Sequence, residues 1–446
     1  MDPDLSIQSL FVRGSSLSRN KLSLLRRYCA TEAKSSAFLD SIDKEDLENF
    51  LQRVLDVAVG RDVSNESDVE KLKFQKLALR TLVNAVNRSV MLRSFLNQKT
   101  LHTLRVILKQ QVLQVEVCAL LNTIFCHNLT ELQSTDEYAL LLGDLINLWA
   151  EEKSWISSIL SICFEKSLSF LSYCYERLDL STFTNLLYSV SVLADKSDDQ
   201  KAINLSISDA RFCVELLKEF ERICENMLSC GDLEHNGKKC LVPMYAMMYL
   251  LEIISLLALE RPDYNAVFHP CIDGIRYVVW ILEAIIDNEI SHEIQSFKPS
   301  NAPDRPSKEP LKRRDVANNS FISKLSMYLC FMNAHDIGLL KRNCMEALQN
   351  LCCESLQNQV IAGDFDAISL VLSCARRLDS NCPSQIQRAI AVLRFLCIGC
   401  QENQARLARI NNAAPAIIDT KRLFLEMGIE SIIDPASNTV KLKKAT

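Results

Sequence analysis

The sequence predicts an all-α fold of stacked helices, and three observations support this prediction. Only 10 Gly and 11 Pro occur in 446 residues, well below an average usage of about 7% and 5%. No proline lies between Pro3 and Pro243, so this part of the chain lacks the turn residues that sheet-rich domains use. Apolar residues recur instead at helical spacing, for example at Leu339, Cys344 and Leu348.

Four short segments are similar to one another, and each places a small residue before large apolar ones. They are Thr81–Ala85, Ala119–Thr123, Ala347–Leu351 and Ala391–Phe395. The first pair is offset by 38 residues and the last pair by 44, close to the period of about 40 to 47 residues that marks stacked helical repeats. Small residues let neighbouring helices approach while the leucines form a continuous core. The pattern therefore predicts an armadillo/HEAT-like right-handed superhelical solenoid.

One segment differs in composition from both of its flanks. Ser296–Ser320 contains four of the prolines and few apolar residues, which is typical of a flexible linker or a surface loop. Beyond a last helix at Thr420–Met427, two alternatives stay open for the end of the chain, a short β-hairpin and a loosely held basic tail. The predicted division is an irregular N-terminal array at 1–295, the linker at 296–319, C-terminal repeats at 320–422 and a tail at 423–446.

Charge and hydropathy exclude several partners. The net charge of −5 and the pI near 5.8 do not supply the positive surface that nucleic-acid binding requires. The apolar run Leu241–Leu259 contains Glu252, and a carboxylate in the middle of a membrane span costs about 2.5–3.5 kcal/mol. We therefore predict a core helix and no membrane span. The apolar density of residues 241–286 also predicts a self-association face.

The cysteines and histidines predict no catalytic or metal site. The 18 cysteines are scattered through apolar segments and the N-terminus has no signal-peptide layout, as expected for a cytoplasmic protein with reduced thiols, for which a perinuclear position is the alternative. Cys397 and Cys400 have CxxC spacing, but they follow an apolar helix instead of beginning one. The zinc-ligand types Cys224, Cys230, His235 and Cys240 have gaps of five, four and four residues, unlike short zinc knuckles.

The chain contains no nucleotide-binding, nucleophile-elbow or metalloprotease motif, so we predict no enzyme, no cofactor and no catalytic residue. Two alternatives to an interaction scaffold stay open. The first is a thiol-dependent enzyme that uses Cys397 and Cys400. The second is a nuclear-transport adaptor, which would use Lys312, Arg313 and Arg314, from a basic cluster that also includes Lys308, together with the recurrent asparagines Asn84, Asn122 and Asn350.

Recurrent asparagines are the candidate partner-binding residues. In armadillo arrays of the importin and catenin type, an Asn on the third helix of each repeat bonds the backbone of an extended peptide. Asn84, Asn122 and Asn350 stand at this place in three of the similar segments, and Arg394 occupies it in the fourth. The tryptophan that precedes the Asn by four residues in those families is absent, because the residues there are Arg80, Cys118 and Glu346.

A series of short motifs in the C-terminal array resembles the ataxin-10 family. The motifs are Asn350-Leu351-Cys352, Asn358-Gln359, Asp379-Ser380-Asn381-Cys382-Pro383, Ala389-Ile390 and Glu402-Asn403-Gln404, followed by a tail with Gly428, Asp434 and Thr439–Leu442. This resemblance covers about residues 335–445. It implies an armadillo-like, self-associating cytoplasmic adaptor in cytokinesis, neuron survival and neurite outgrowth. It also implies O-GlcNAc transferase and G-protein beta subunits as partners.

Overall fold

The structure is a computed structural model of the chain. It describes residues 7, 10–11, 17–31, 35–61, 67–95, 97–150, 156–194, 205–229, 237–260, 262–296, 319–375, 384–413, 429–434 and 439–444. These residues fall into two compact units. Unit 1 comprises Met1–Leu216 and Val242–Ile253, and unit 2 comprises Leu217–Leu241 and Ile254–Thr446.

The described residues of unit 1 lie mainly in helices. They are α1 Arg19–Thr31, α2 Ser35–Asp40, α3 Lys44–Val59, α4 Asp68–Arg88, α5 Val90–Ser94, α6 Gln98–Leu108, α7 Gln114–Leu132, α8 Asp136–Ala150, α9 Ser157–Lys166, α10 Phe170–Arg177 and α11 Leu180–Ala194. Two further helices, α12 (Ile207–Ser229) and α13 (Gly237–Glu260), contribute residues to both units.

The helices of unit 1 stack in two rows. In the first row α1 packs on α4, α4 on α7 and α7 on α9. In the second row α3 packs on α6, α6 on α8 and α8 on α11. Each helix thus contacts its counterpart in the preceding repeat, which is the packing of a helical solenoid.

Local sequence explains where the helices begin and end. The Asp43 carboxylate accepts a hydrogen bond from the backbone N–H of Glu45 at 2.9 Å and so caps α3. Gly60, with φ +90°, ends the same helix in the left-handed conformation that glycine adopts without a steric penalty. Between these caps, Phe50 and Val54 on one face are fully buried, so the amphipathic pattern supplies the core.

Unit 2 contains the remaining helices. They are α14 Asn265–Phe268, α15 Ile272–Ser296, α16 Asn319–Leu329, α17 Ala334–Cys352, α18 Leu356–Asp364, α19 Ala367–Ala375, α20 Gln385–Cys397 and α21 Gln401–Ala413. The long helix α15 packs on α16, α17, α18 and α19, while α17 packs on α20 and α18 packs on α21. The described part of the chain ends in an antiparallel pair, β1 Ile429–Asp434 and β2 Thr439–Lys444.

The predicted all-α solenoid class is confirmed, and its right-handedness stays a prediction. The hairpin alternative for the end of the chain is also confirmed, with Ile429 opposite Lys444 and Asp434 opposite Thr439. The predicted domain boundaries are not tested. Almost all of the linker, 297–318, lies outside the described residues, and so does the predicted last helix with its Gly428 cap.

The apolar run Leu241–Leu259 forms most of α13. It is long and apolar enough to cross a membrane, but 61% of it is buried inside the structure. A helix in the core of a soluble protein passes the same test of length and composition. The burial therefore agrees with the core-helix prediction made from Glu252.

Candidate partner-binding surface

Two asparagines meet on the surface of unit 1. Asn147 lies in α8 and Asn185 lies in α11, the next helix of the second row. The Nδ2 atom of Asn185 donates to Oδ1 of Asn147 at 3.0 Å. An amide has two donor hydrogens and an oxygen with two lone pairs, so this bond leaves each side chain with capacity for a further partner.

Three aromatic rings continue from the asparagines across the neighbouring helices. The ring of Trp149 contacts that of Tyr188 edge-on at a centroid distance of 5.6 Å, and Tyr188 contacts Tyr249 at 5.2 Å. Tyr188 is 39% exposed. We call these five residues, Asn147, Trp149, Asn185, Tyr188 and Tyr249, the asparagine–aromatic surface.

Four titratable side chains of α6 and α8 are paired within unit 1. Nε of Arg105 donates to the Asp144 carboxylate at 2.6 Å, and Arg105 also lies 3.6 Å from Glu137. Nδ1 of His102 lies 3.0 Å from the same Glu137. These pairs link α6 to α8 and so tie together two helices of the second row.

The four predicted partner-binding positions, Asn84, Asn122, Asn350 and Arg394, are not among the five residues of this surface. Asn84 donates from Nδ2 to the carbonyl of Arg26 at 3.1 Å, so its amide binds α1. The Oδ1 atom of Asn122 is buried and has no hydrogen-bond partner in the structure. Their role in partner binding stays a prediction.

The other two predicted positions lie in unit 2. Asn350 is buried, and its Nδ2 donates to the carbonyl and the hydroxyl of Ser255 at 3.0 and 2.9 Å. Arg394 is exposed in α20. The Asn350 amide is therefore used inside the fold, and a role for either residue in partner binding also stays a prediction.

The C-terminal repeats have a period of 45 residues. This is one residue more than the 44-residue offset between Ala347–Leu351 and Ala391–Phe395. Asn358 donates to the carbonyl of Leu351 at 2.6 Å, and Asn403 donates to the carbonyl of Leu396 at 2.8 Å. The adjacent glutamines bond in the same way, since each of these side chains donates to the carbonyl seven residues before it. Gln359 donates to Cys352 and Gln404 donates to Cys397.

The same 45-residue offset separates two residues with left-handed backbone conformation. They are Glu354, with φ 55° between α17 and α18, and Gly399, with φ 73° between α20 and α21. The counterpart of Asn350 is therefore Phe395 and not Arg394. The overlay was wrong by one residue because leucine-rich helices match almost equally well in neighbouring registers.

The thiols of the CxxC pair lie where the sequence predicts, at the end of α20. Cys397 is half-buried, and burial together with the neighbouring Cys400 raises its pKa to about 11. Cys400 is buried. A raised pKa keeps Cys397 in its weakly nucleophilic thiol form at neutral pH, which opposes the alternative of a thiol-dependent enzyme.

Several predicted groups cannot be placed. The basic cluster Lys308, Lys312, Arg313 and Arg314 and the side chains of Cys224, Cys230, His235 and Cys240 lie outside the described residues. Among the residues that the structure does describe, no group of three or more His, Cys, Asp or Glu could hold a metal ion.

Sequence reasoning missed the asparagine–aromatic surface, although a signal for it existed. Asn147 and Asn185 are 38 residues apart, the spacing already noted between Asn84 and Asn122. The four similar segments do not include this part of the chain, which the sequence predicts only as part of an irregular array at 1–295. Exposure of Tyr188 is a tertiary property that spacing alone does not give.

The stacked rows of helices define a helical repeat protein, and the asparagine–aromatic surface is a partly exposed group of amide and aromatic side chains on its unit 1. Residues 340–443 match the family model of the spinocerebellar ataxia type 10 protein domain. This match bears out, for the C-terminal part of the chain, the resemblance to the ataxin-10 family seen in the Asn358-Gln359 and Glu402-Asn403-Gln404 motifs.

Two further comparisons add little to this assignment. No curated protein matches the chain. A crystal structure of an engineered protein is 12% identical, with 88% of this chain and 98% of that chain covered and a TM-score of 0.26. A score of this size carries no argument about the fold.

Proposed function

We propose that the chain is a non-enzymatic adaptor that binds other proteins, as its ataxin-10 family domain suggests. The observation that carries the proposal is the asparagine–aromatic surface. Aromatic residues, above all Trp and Tyr, are enriched at protein–protein interfaces, because a ring supplies a large contact area at a small entropic cost. Amides beside the rings supply adaptable hydrogen bonds to a partner backbone.

The family resemblance supports the finer parts of this proposal. We place the protein in the cytoplasm, with roles in cytokinesis, neuron survival and neurite outgrowth. Its proposed partners are O-GlcNAc transferase and a G-protein beta subunit, and it is also proposed to self-associate. The raised pKa of Cys397 supports binding over thiol chemistry.

Binding of the two purified candidate partners to the full chain tests the proposal. We expect at least one of them to bind the wild type. The variant Tyr188→Ala should bind at least tenfold more weakly, which is a loss of about 1.4 kcal/mol, because central tyrosines are frequent hot spots. Val90→Ala is the matched control, since Val90 is 65% exposed and lies away from the surface in α5.

Circular dichroism verifies that both variants remain helical. The proposal is wrong if neither partner binds. It is also wrong about the surface if Tyr188→Ala and Val90→Ala bind a partner as tightly as the wild type does.

A further inference from the structure

The imidazole of His269 lies against a buried amide of unit 2. His269 is in the turn between α14 and α15, and its Nδ1 atom lies 3.2 Å from Nδ2 of Asn358 at the start of α18. Asn358 is fully buried, whereas His269 is half-buried. The orientation of this amide therefore decides which form of the ring fits.

Three backbone contacts fix the orientation of the Asn358 amide. Its Nδ2 atom donates to the carbonyls of Phe268 and Leu351, each at 2.6 Å, and its Oδ1 atom accepts from the N–H of Cys271 at 2.9 Å. A flipped amide would place its oxygen against two carbonyls and its NH2 group against an N–H. The atom that faces His269 is therefore Nδ2, which can only donate.

This donor selects the neutral form of His269. In a neutral imidazole one nitrogen has a lone pair and the other carries a hydrogen, whereas both nitrogens of an imidazolium carry a hydrogen. A lone pair on Nδ1 can accept from the Asn358 amide, which shares one hydrogen between the ring and a carbonyl. The geometry thus fits a neutral ring with its hydrogen on Nε2. An imidazolium would direct its Nδ1–H at the amide hydrogens.

Burial acts in the same direction as the amide. Desolvation lowers the pKa of His269 below its ordinary value of 6.5. None of the titratable groups at the ends of the surrounding elements is a cause of this shift. These groups are Tyr264, Cys271, Asp273, Arg276, Cys352 and Glu354. The Asp273 carboxylate pairs instead with Arg276 at 3.1 Å, so no ion pair compensates a charge on the ring.

The contact joins the family domain to the helices before it. Asn358 lies within residues 340–443, which match the family model, whereas His269 and Cys271 precede them. We propose that neutral His269 and Asn358 form a histidine latch that joins the turn before α15 to α18, and that protonation of the His269 ring opens it. Because α15 also packs on α16, α17 and α19, opening releases the turn and leaves the helices stacked.

Linkage gives the direction of the pH dependence. Because the pKa of His269 is lowered in the folded chain, the contribution of the neutral ring is fully present above pH 6.5. It is lost as the pH falls through that lowered pKa. One proton changes the equilibrium constant for opening by at most about tenfold per pH unit. The histidine latch is therefore closed at neutral pH and opens under acidic conditions.

NMR of histidine labelled with carbon-13 and nitrogen-15 measures the ring in the full chain. The chain has 6 histidines, and the signal that is missing from His269→Phe identifies His269. We expect a pKa below 6.5 and a neutral form with its hydrogen on Nε2. Either an ordinary or raised pKa or a hydrogen on Nδ1 in the neutral form would overturn the proposal.

Hydrogen exchange followed by mass spectrometry measures the opening. The N–H of Cys271 bonds to Asn358, so its protection should fall at least about twofold, relative to the intrinsic rate, between about pH 7.5 and about pH 5.5. His269→Phe should show no such fall. A peptide from α11 of unit 1, which contains no histidine, is the internal control. Protection of Cys271 that is independent of pH in the wild type means that the latch does not open.

Urea denaturation over the same pH range tests the effect on stability. The matched control is His335→Phe, since His335 is exposed at the start of α17. The unfolding constant of the wild type and of this control should rise more steeply on acidification than that of His269→Phe. Other groups titrate equally in all three proteins. Equal pH dependence of His269→Phe and the wild type would contradict the proposal. A thermal melt verifies folding, and His269→Gln replaces the Phe variant if that variant does not fold.

Discussion

Asn403 packs so closely on Gly363 that a Cβ atom at position 363 would overlap its Oδ1 atom and lie 3.0 Å from its Cγ atom. Asn403 cannot move aside easily. It is fully buried, and its Nδ2 atom donates to the carbonyls of Gln359 at 2.6 Å and Leu396 at 2.8 Å. The close approach of α18 and α21 thus depends on a residue without a side chain.

We therefore expect Gly363→Ala to destabilise the protein. Overpacking of this kind costs roughly 1–3 kcal/mol, which exceeds the gain of up to about 1 kcal/mol from the better helix propensity of Ala. Urea denaturation followed by circular dichroism measures the change.

Gly143→Ala is the matched control for this substitution. A Cβ atom at position 143 of α8 would make an ordinary contact, 3.5 Å from Cδ2 of Leu178. This variant should be as stable as the wild type or more stable. Equal stability of the two variants would show that Asn403 yields to a methyl group at position 363.

A second prediction concerns Asn358, which links three segments of unit 2. Its amide donates to the carbonyls of Phe268 and Leu351, each at 2.6 Å, and accepts from the N–H of Cys271 at 2.9 Å. Asn358→Ala leaves these buried backbone groups without a partner. Each such group costs about 1–3 kcal/mol, so we expect a loss of at least about 2 kcal/mol in the free energy of unfolding.

The neighbour Gln357 provides the comparison for Asn358. It is an exposed amide in the same turn of α18, and surface substitutions usually change stability by less than about 0.5 kcal/mol. Chemical denaturation of Asn358→Ala and Gln357→Ala should give clearly different midpoints. A loss below about 0.5 kcal/mol for Asn358→Ala would mean that water or a rearranged loop satisfies the three backbone groups.

The sequence predicts the fold class correctly because the scarcity of Gly and Pro is a property of the whole chain. An error in the bounds of one helix or in the register of one repeat does not change it. The sequence did not predict the role of Asn358. The Asn358-Gln359 pair was visible as a motif, but Phe268 is 90 residues away in the sequence. No local pattern reports a contact at that separation. The register of a repeat is also difficult to predict from sequence. An offset of 44 residues in place of 45 pairs Asn350 with Arg394, whereas the structure pairs it with Phe395.

A third prediction concerns the reactivity of the cysteines. Burial raises the pKa of Cys397 to about 11, so less than about 0.1% of it is thiolate at pH 7.5. Iodoacetamide at this pH should label the exposed Cys126 and Cys330 well before Cys397. Because the folded pKa is raised, the alkylation rate of Cys397 should keep rising as the pH is increased towards 11. Mass spectrometry of timed digests measures each site.

The same shift makes a stability contribution whose sign follows from linkage. The contribution of the protonated Cys397 thiol is fully present below its ordinary pKa of 9.0 and is lost as the pH rises through about 11. Cys397→Ser removes the titration in this window and serves as the control. Fast, selective labelling of Cys397 at neutral pH would contradict the prediction and revive the thiol-dependent alternative.

The last prediction concerns an ion pair in unit 2. Lys341 in α17 is 1% exposed, and its Nζ atom lies 2.7 and 2.9 Å from the two carboxylate oxygens of Glu289 in α15. The Glu289 side chain is 23% exposed. Removal of one partner leaves the other charge poorly solvated, and this penalty is greater for the more deeply buried ammonium group.

We therefore expect Glu289→Leu to cost roughly 3–5 kcal/mol and Lys341→Met to cost less. Replacing both residues removes both charges, so the double variant should be more stable than Glu289→Leu alone. A double-mutant cycle from urea denaturation gives the coupling energy between the two sites. If the two single losses simply add in the double variant, the coupling energy is zero and the bond between Lys341 and Glu289 does not stabilise the fold.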